Sequence, residues 1–338
     1  MSEPDVFVIG GGPAGLALAI AASRRGMRVV VSDGSRPPID KPCGEGLMPD
    51  SRQLAEQLGI VLPAHRGFEF RGIRFHGSGR SVEAGFPVGR GIGVRRTYLH
   101  EVLIAAADKA GVEMRWESPV SRIDNIRARW IVGADGAASR VRRFAGLDAA
   151  IRNTRRYAWR QHFAVAPWTD CMEIYWGEGC QVYVTPVDKQ EVCVALIARS
   201  PDLRLDDALQ RFFPVLGQRL PETTATDRVR GAITATTKLR AVTRGNVALI
   251  GDASGSVDAI TGEGMCLGFR QADVLAEAMQ LDDLATYNRA HPKLAWKPHM
   301  MAKTMLMLDR GASIRSFAMH AMSAQPWIFR RLLEVHVA

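Results

Sequence analysis

The sequence predicts an α/β fold in which a doubly wound, Rossmann-like parallel sheet is interrupted by a mostly antiparallel β-sheet unit and followed by a helical C-terminal segment. Three observations predict it. A short apolar run, Val6 to Ile9, breaks at a glycine-rich turn ahead of an Ala/Leu-rich stretch and a second apolar run, Val29 to Val31. From about Ile151 the pattern changes to period two. The parallel signature then returns at Val247 to Ile250, before a long helical stretch.

In order along the chain, Val6 to Ile9 reads as a buried strand, Leu16 to about Arg25 as a helix ended by Gly26, and Val29 to Val31 as the second strand of a βαβ unit. A Pro/Gly-rich loop, Ser35 to Pro49, holds Lys41-Pro42-Cys43-Gly44-Glu45-Gly46 and leads into a helix at about Ser51 to Leu58. Phe68 to Phe75 and Ser81 to Phe86 alternate as strands, Thr97 to Ala110 is a helix closed by Gly111, and Val112 to Trp116 and Trp130 to Val132 are strands. Tyr157 to Val165, Met172 to Trp176, Gln181 to Thr185 and Val192 to Ala198 read as antiparallel strands, with Gly177-Glu178-Gly179 as a hairpin turn. Asp206 to Leu216 and Glu263 to Met279 read as helices, and the last 39 residues are helical in composition and hold six of the 13 methionines. The implied division is 1–66, 88–150 and 240–285 for the parallel-sheet domain, 67–87 and 151–239 for the β domain, and 286–338 for the C-terminal helices.

The chain has 338 residues, 47% of them apolar, which supplies core material for one large or two modest domains and excludes a disordered or collagen-like chain. Its five cysteines form no CxxC pair, which argues against a disulfide framework or a Cys-rich zinc site and fits a reducing, cytoplasmic setting; no metal is expected. The longest uncharged run, Val6 to Ser23, contains five Gly and Pro residues and follows an acidic start, so it is neither a membrane span nor a signal peptide. The net charge of +9 is uneven: ten arginines between Arg122 and Arg160, Arg152 among them, carry most of it. Such a belt suits a phosphate-bearing molecule such as NADPH or an acidic carrier of the substrate, or forms a solvated face with partners elsewhere in the fold. No nucleic-acid motif is present.

Gly10-x-Gly12-x-x-Gly15, with Pro13 and Ala14 inside it, sits between a strand and a helix, and Asp33 ends the next strand 18 positions later. This is the arrangement of a dinucleotide-binding turn: Gly10 for the turn, Gly12 for close approach of a pyrophosphate, Gly15 for helix–strand packing, and an acceptor for ribose hydroxyls. The helix N-terminus supplies free N–H groups and partial positive charge.

Together with IVGADGAASRVRR at Ile131 to Arg143 and ALIGDASG at Ala248 to Gly255, this opening resembles the FAD-binding superfamily of aromatic hydroxylases, halogenases and geranylgeranyl reductases. The resemblance implies FAD as cofactor, Asp135 near the pyrophosphate, Gly251 and Asp252 at the ribityl chain, and Arg96 in VRRTYLHEVL touching the FAD. NAD(P)H is implied as a transient reductant, since no second strand-linked glycine fingerprint is visible. In DAITGEGMCLGFRQA, Gly262, Glu263, Gly264 and Met265 open a helix whose N-terminus would stabilise negative charge on a reduced flavin. KPCGEGLMP, with Cys43 and Gly44, and TGEGM look closest to the geranylgeranyl reductase branch. Cys43 is either a redox or proton-donating residue beside the flavin or a small loop filler.

Tyr157, Trp159, His162, Tyr175, Trp176 and Tyr183 fall on the predicted β strands. Trp159, Tyr175 and Tyr183 are candidates to line an aromatic or prenyl pocket, and His162 is a weak catalytic candidate; plain core is the competing reading. The expected function is that of an FAD oxidoreductase acting on a small hydrophobic aromatic, polyketide or isoprenoid substrate, free or carrier-bound. Hydroxylation with oxygen is favoured by the superfamily's range, and saturation of a double bond is the alternative. A flavin-binding module without turnover is the rival of another class. The Met-rich C-terminal helices close the substrate pocket, touch a membrane surface peripherally, or pack on the sheet.

Overall fold

The computed structural model describes residues 3–148 and 150–337. The parallel sheet has the spatial order Thr243–Arg244, Val247–Leu249, Trp130–Gly133, Val6–Ile9, Val29–Ser32, Glu113–Arg115, and only the Thr243–Arg244 edge runs antiparallel. Its four central strands are buried throughout, as the unbroken apolar runs require of strands covered on both faces. The helices Pro13–Ser23 and Gly264–Gln280 share one core with these strands. The fold is the doubly wound α/β type that the sequence predicts.

The second sheet has seven strands in the order Arg230–Leu239, Ala150–Phe163, Glu191–Ala198, Cys180–Asp188, Cys171–Trp176, Gly72–Gly77, Arg80–Gly85. All its pairings are antiparallel except Cys171–Trp176 against Gly72–Gly77. The expected hairpin closes through Gly177 N–H donating to Cys180 O at 2.9 Å. The strand Arg230–Leu239 carries no apolar alternation that would have revealed it, because it lies at the sheet edge and is largely exposed.

Two sequence-predicted elements are divided. Phe68 to Phe75 separates at Arg71: Phe68–Phe70 pairs with Gly91–Gly93 in a small third sheet, while Gly72–Gly77 enters the large one. The Arg71 backbone bonds outward to Asp170 O and Phe86 N–H, which turns the chain between the two sheets. The helix expected over Asp206 to Leu216 becomes Leu205–Phe212 and Pro214–Arg219, since Pro214 cannot continue the first helix and starts the second.

The C-terminal helices Trp296–Arg310, Ala312–Ala324 and Pro326–Val337 pack against the large sheet through Met305, Met319, Met322, Phe329 and Leu333, while Leu284–Leu294 before them joins the parallel-sheet core through Leu284 and Tyr287. No described helix is long and apolar enough to cross a membrane. The arginine belt disperses in three dimensions. Arg142 is buried against Asp148 and the Ala253 and Ala137 carbonyls, Arg156 against Asp309, and Arg160 against Asp40 and Asp227. Arg122 and Arg129 pair at the surface with Asp124 and Asp282. The side chain of Arg152 lies outside the described set. All five are partnered within the fold, but Arg142, Arg156 and Arg160 are buried and so do not belong to a solvated face.

Asp309 is fully buried and joins the C-terminal helices to the sheet, accepting from Arg156 Nη2 at 2.5 Å, Arg199 Nε at 2.7 Å and Gln181 Nε2. Removing one partner of such a set leaves buried charge uncompensated. Asp309→Ala is therefore expected to lower unfolding free energy by about 3 kcal/mol in urea titrations; a loss below about 1 kcal/mol would show that the cluster does not hold the helices down.

Candidate functional site

The turn after the first strand is set by backbone contact. Gly10 has φ +115°, and a Cβ there would meet Ala134 O at 2.4 Å, while a Cβ on Gly15 would lie 2.0 Å from Gly10 O. Gly12 differs: a Cβ there would meet nothing within 4 Å, because the residue faces a cavity. The helix that starts at Pro13 has no side-chain cap, so its first amides and dipole are available to a ligand. Asp33 does not line the cavity; its Oδ2 accepts from Gly11 N–H at 2.7 Å and its Oδ1 from Ser35 N–H at 2.8 Å, which holds the two loops together. His100, unremarked in the sequence within VRRTYLHEVL, is buried beneath the same turn, donating from Nε2 to Gly11 O at 2.7 Å and accepting at Nδ1 from Ile39 N–H at 3.1 Å. Burial keeps its pKa below the ordinary histidine range, and this tautomer satisfies both nitrogens.

The cavity, about 340 Å³, lies between the parallel sheet and the large antiparallel sheet. Gly12, Pro13 and Ala14 form one wall, and Lys41, Cys43, Gly44 and Glu45 another. Arg96, Gly251 and Asp252 line it from the parallel-sheet side, with Gly262, Gly264 and Met265 at the start of the long helix. Tyr183 lines it from the large sheet, where its hydroxyl donates to Ile260 O at 2.6 Å and so ties that sheet to the TGEG loop; the ring of Trp159, one position out of phase, packs on the opposite face of the sheet with Val182, Leu196 and Leu205.

Other candidates sit elsewhere. Gly10, Gly15 and Asp135 support the walls without lining the cavity. Glu263 turns its side chain into the protein, where burial pushes its pKa up to about 8. Tyr175 lies away from the cavity, donating to Glu173 Oε2 at 2.8 Å and stacking on His76 at 4.2 Å, so it is packed in a polar cluster and not in the substrate wall. His162 is fully buried behind the Cys43 loop, its Nε2 at 2.6 Å from Glu45 Oε2. Glu45, His162 and Cys193 bring ligand-type atoms within 4.8 Å of one another, but the guanidinium groups of Arg95 and Arg160 stand at the same imidazole and would oppose a cation there.

Polar atoms left over in the cavity and behind its wall indicate what it takes. Among the described residues, Arg96 Nε and Asp135 Oδ1 are buried without a hydrogen-bond partner, while Asp135 Oδ2 is used up by Arg140 N–H at 2.7 Å and Val141 N–H at 3.2 Å. The Asp252 carboxyl opens to the cavity yet lies deep in the protein; burial raises its pKa, with Lys41 and Arg96 opposing. An open glycine cradle, an uncapped helix, an unpaired guanidinium N–H and deep acceptors suit a ligand with phosphates at one end and hydroxyls along its length. FAD fits those residues.

The family model for the FAD binding domain matches residues 3–121 and 89–282. The chain belongs to this family. It is an FAD-dependent oxidoreductase, with NAD(P)H the reductant typical of the family. It is 29% identical over 318 residues to menaquinone reductase of Mycobacterium tuberculosis, covering 83% of this chain and 78% of that protein. It is 28% identical over 362 residues to digeranylgeranylglycerophospholipid reductase of Thermoplasma volcanium, covering 92% of this chain and 84% of that one. The fold is shared with p-nitrophenol 4-monooxygenase from Pseudomonas putida, with a TM-score of 0.83 over 99% of this chain and 98% of that chain at 20% identity.

Two expectations follow for this flavoprotein. Gly15→Ala drives a methyl into Gly10 O and should cost the apoprotein about 1 to 3 kcal/mol, whereas Gly12→Ala should leave apoprotein melting unchanged and weaken FAD binding at least about tenfold by obstructing the cradle; equal effects of both on melting would contradict the division. The second concerns acid. His291, its Nε2 2.9 Å from Ser254 Oγ and near Gln271, which in turn holds Gly251 N–H, is pushed by burial down to about 4. The unfolded chain takes up this proton near 6.5 and the folded one only near 4, so stability is complete above about 6.5 and falls as pH drops towards 4, by up to about 3 kcal/mol from this group. Urea midpoints at pH 7 and pH 5 should differ, and His291→Gln should reduce the difference.

Proposed function

We propose that the protein saturates a carbon–carbon double bond in a long apolar substrate of isoprenoid type, using FAD held in the cavity. The observation that carries this reading is a second, apolar crevice of about 60 Å³ that continues from the cavity: Met48, Met172 and Tyr183 line both. The crevice runs between the large sheet and the C-terminal helices, past Ile73, Phe75, Ile260, Met305 and Leu333. Its five methionines are flexible and can part for a chain wider than the resting gap. A compact phenol would make no use of such an extension, whereas a prenyl chain needs one. The reductases among the relatives, named for menaquinone and digeranylgeranylglycerophospholipid, support the same substrate class.

In this reading the uncapped Pro13 helix and Gly12 would hold the pyrophosphate, Arg96 would meet the phosphates, and Asp252 would accept from the ribityl hydroxyls. The N-terminus of the helix beginning at Gly264 lines the same cavity, and its partial positive charge would favour a reduced, anionic cofactor. Bound FAD supplies the hydride. Cys43, half-buried in the cavity wall and held by Glu45 N–H at 3.4 Å from Sγ, donates the proton that completes the saturation. Tyr183 excludes water from the large-sheet side.

Reduced enzyme mixed under nitrogen with a prenyl lipid should give product two hydrogens heavier. Met305→Trp, which fills the crevice, should raise KM for a long-chain substrate about tenfold or more and leave a short-chain analogue unaffected. Product that forms only in air and contains an atom from oxygen would replace this reading with hydroxylation.

A further inference from the structure

Among the described residues fifteen large apolar side chains are exposed, and eight of them fall between Trp296 and Val335. Three of the eight are aromatic: Trp296, Phe317 and Trp327 are 61%, 75% and 63% exposed. A concentration of this kind marks an interaction surface, whereas scattered single residues would not. Helix geometry puts the set on one side. The helices Trp296–Arg310, Ala312–Ala324 and Pro326–Val337 turn Met305, Met319, Phe329 and Leu333 inward onto the large sheet. Met307, Phe317, Trp327 and Val335 each stand two positions from one of those residues, about 200° around the helix, and so face away from the sheet. Trp296 and Met300 precede Met307 by eleven and seven positions, which keeps them on its stripe. The three helices pack on one another as well as on the sheet, so their outer sides make one surface.

Basic residues are set into these apolar stripes. Lys303 lies between Met300 and Met307, Arg310 follows Met307, and Arg331 lies between Trp327 and Val335; Lys297 and Arg330 are exposed on the same two helices. The carboxylates of the three helices are Asp309, which is buried, and Glu334, which pairs with Arg331 at 2.9 Å. Five outward cations therefore face one carboxylate. Apolar and aromatic side chains interspersed with Lys and Arg match the boundary of a bilayer that carries anionic headgroups, where rings and methionines reach the acyl edge and the cations meet phosphates. Tryptophan is favoured at that depth. A second copy of the chain fits this face worse, because a two-fold contact would set the same cations against themselves. The apolar crevice opens here too. Leu332 lines the crevice and is itself 38% exposed, and the half-buried Met301 and Thr304 line it from the neighbouring helix. Its mouth thus lies between the Trp296–Arg310 and Pro326–Val337 helices, at the edge of the basic, apolar face.

We propose that the outer face of these three helices docks on an anionic lipid bilayer and receives the prenyl chain from it through the mouth at Leu332. The delivery of substrate rests on the double-bond reduction proposed above; the docking does not. Trp296, Phe317 and Trp327 anchor the protein at the headgroup level, and Lys303, Arg310 and Arg331 set its preference for negative lipid. The chain then moves from the acyl region into the crevice without exposing its apolar length to water.

The test uses the full chain with FAD bound and vesicles of phosphatidylcholine, with or without about 30% phosphatidylglycerol. In cosedimentation the protein should bind the anionic vesicles at least about tenfold more tightly than the neutral ones and lose that preference as salt rises. Phe317→Glu and Trp327→Glu should each weaken binding about tenfold or more without changing the melting temperature, since both side chains are exposed. The overall charge of +9 makes a control necessary. Lys303→Glu with Arg310→Glu, and Arg122→Glu with Arg127→Glu, change the net charge equally, but only the first pair should abolish the anionic preference; Arg122 and Arg127 are exposed on the parallel-sheet domain, beside Asp124 and Glu3. Equal loss in both pairs, or wild-type binding in Phe317→Glu and Trp327→Glu, would overturn the proposal. A wild-type dimer in solution that Phe317→Glu splits would overturn it too, by assigning the face to a second copy. For delivery, Phe317→Glu should turn over a prenyl lipid embedded in vesicles about tenfold more slowly and a dispersed short-chain substrate at the wild-type rate; wild-type rates with both would remove the delivery step. Wild-type protein that docks yet forms no saturated product would count against the proposed reaction and leave the docking in place.

Discussion

Everything at the site depends on how closely three backbone segments meet where the central strands end. A Cβ on Gly10 would lie 2.4 Å from Ala134 O, too close for any side chain, and one on Gly15 would lie closer still to Gly10 O. This contact lets the first helix begin directly over the strand ends, uncapped, with Gly12 left open to the cavity. The helix dipole, the Gly251-Asp252 turn and the Gly136 turn then converge on one space. His100 and Asp33 serve this constraint from below and from the side, which is why neither occupies the cavity itself.

The large sheet supplies the opposite wall and does so through polar buried groups as well as apolar ones. Tyr183 bonds to the Ile260 carbonyl, Arg156 faces Asp258 at 3.5 Å and holds Asp309 on the C-terminal helices, and His162 grips Glu45. A loop, a helix bundle and a sheet are therefore joined to the cofactor domain by hydrogen-bonded charges. Buried ionic contacts of this sort contribute little net stability against a hydrophobic replacement, but they define one arrangement of the parts. The apolar crevice lies between those fastenings, where the packing consists of methionine and aliphatic side chains free to adjust.

Several features were legible in the sequence because they depend on local backbone chemistry. The glycine spacing, the acidic residue ending the second strand and the Gly-Asp turn each require particular residues at particular positions, whatever lies around them. KPCGEGL pointed to Cys43 only through its resemblance to the geranylgeranyl reductase branch. Residues whose role depends on distant partners were less legible. Glu45 stood within the quoted loop without being singled out, because nothing local says that residue 45 meets residue 162. The arginines between 122 and 160 looked like one belt, yet different acidic partners for Arg142, Arg156 and Arg160 sent them to separate places. Tyr175 and Tyr183 have similar sequence surroundings, but only Tyr183 reaches the cavity.

By itself the sequence determined the α/β class and the glycine turn, since short-range sterics and hydrogen bonding demand those residues in that order, and its resemblance to a reductase branch drew attention to the loop that carries Cys43. Tertiary structure decided which aromatic residues reach the cavity, which charges are buried, and that an apolar crevice continues from that cavity. Those outcomes depend on pairings across more than a hundred residues, such as Glu45 with His162 and Arg156 with Asp309, and a pairing of that kind leaves no periodic trace in the chain.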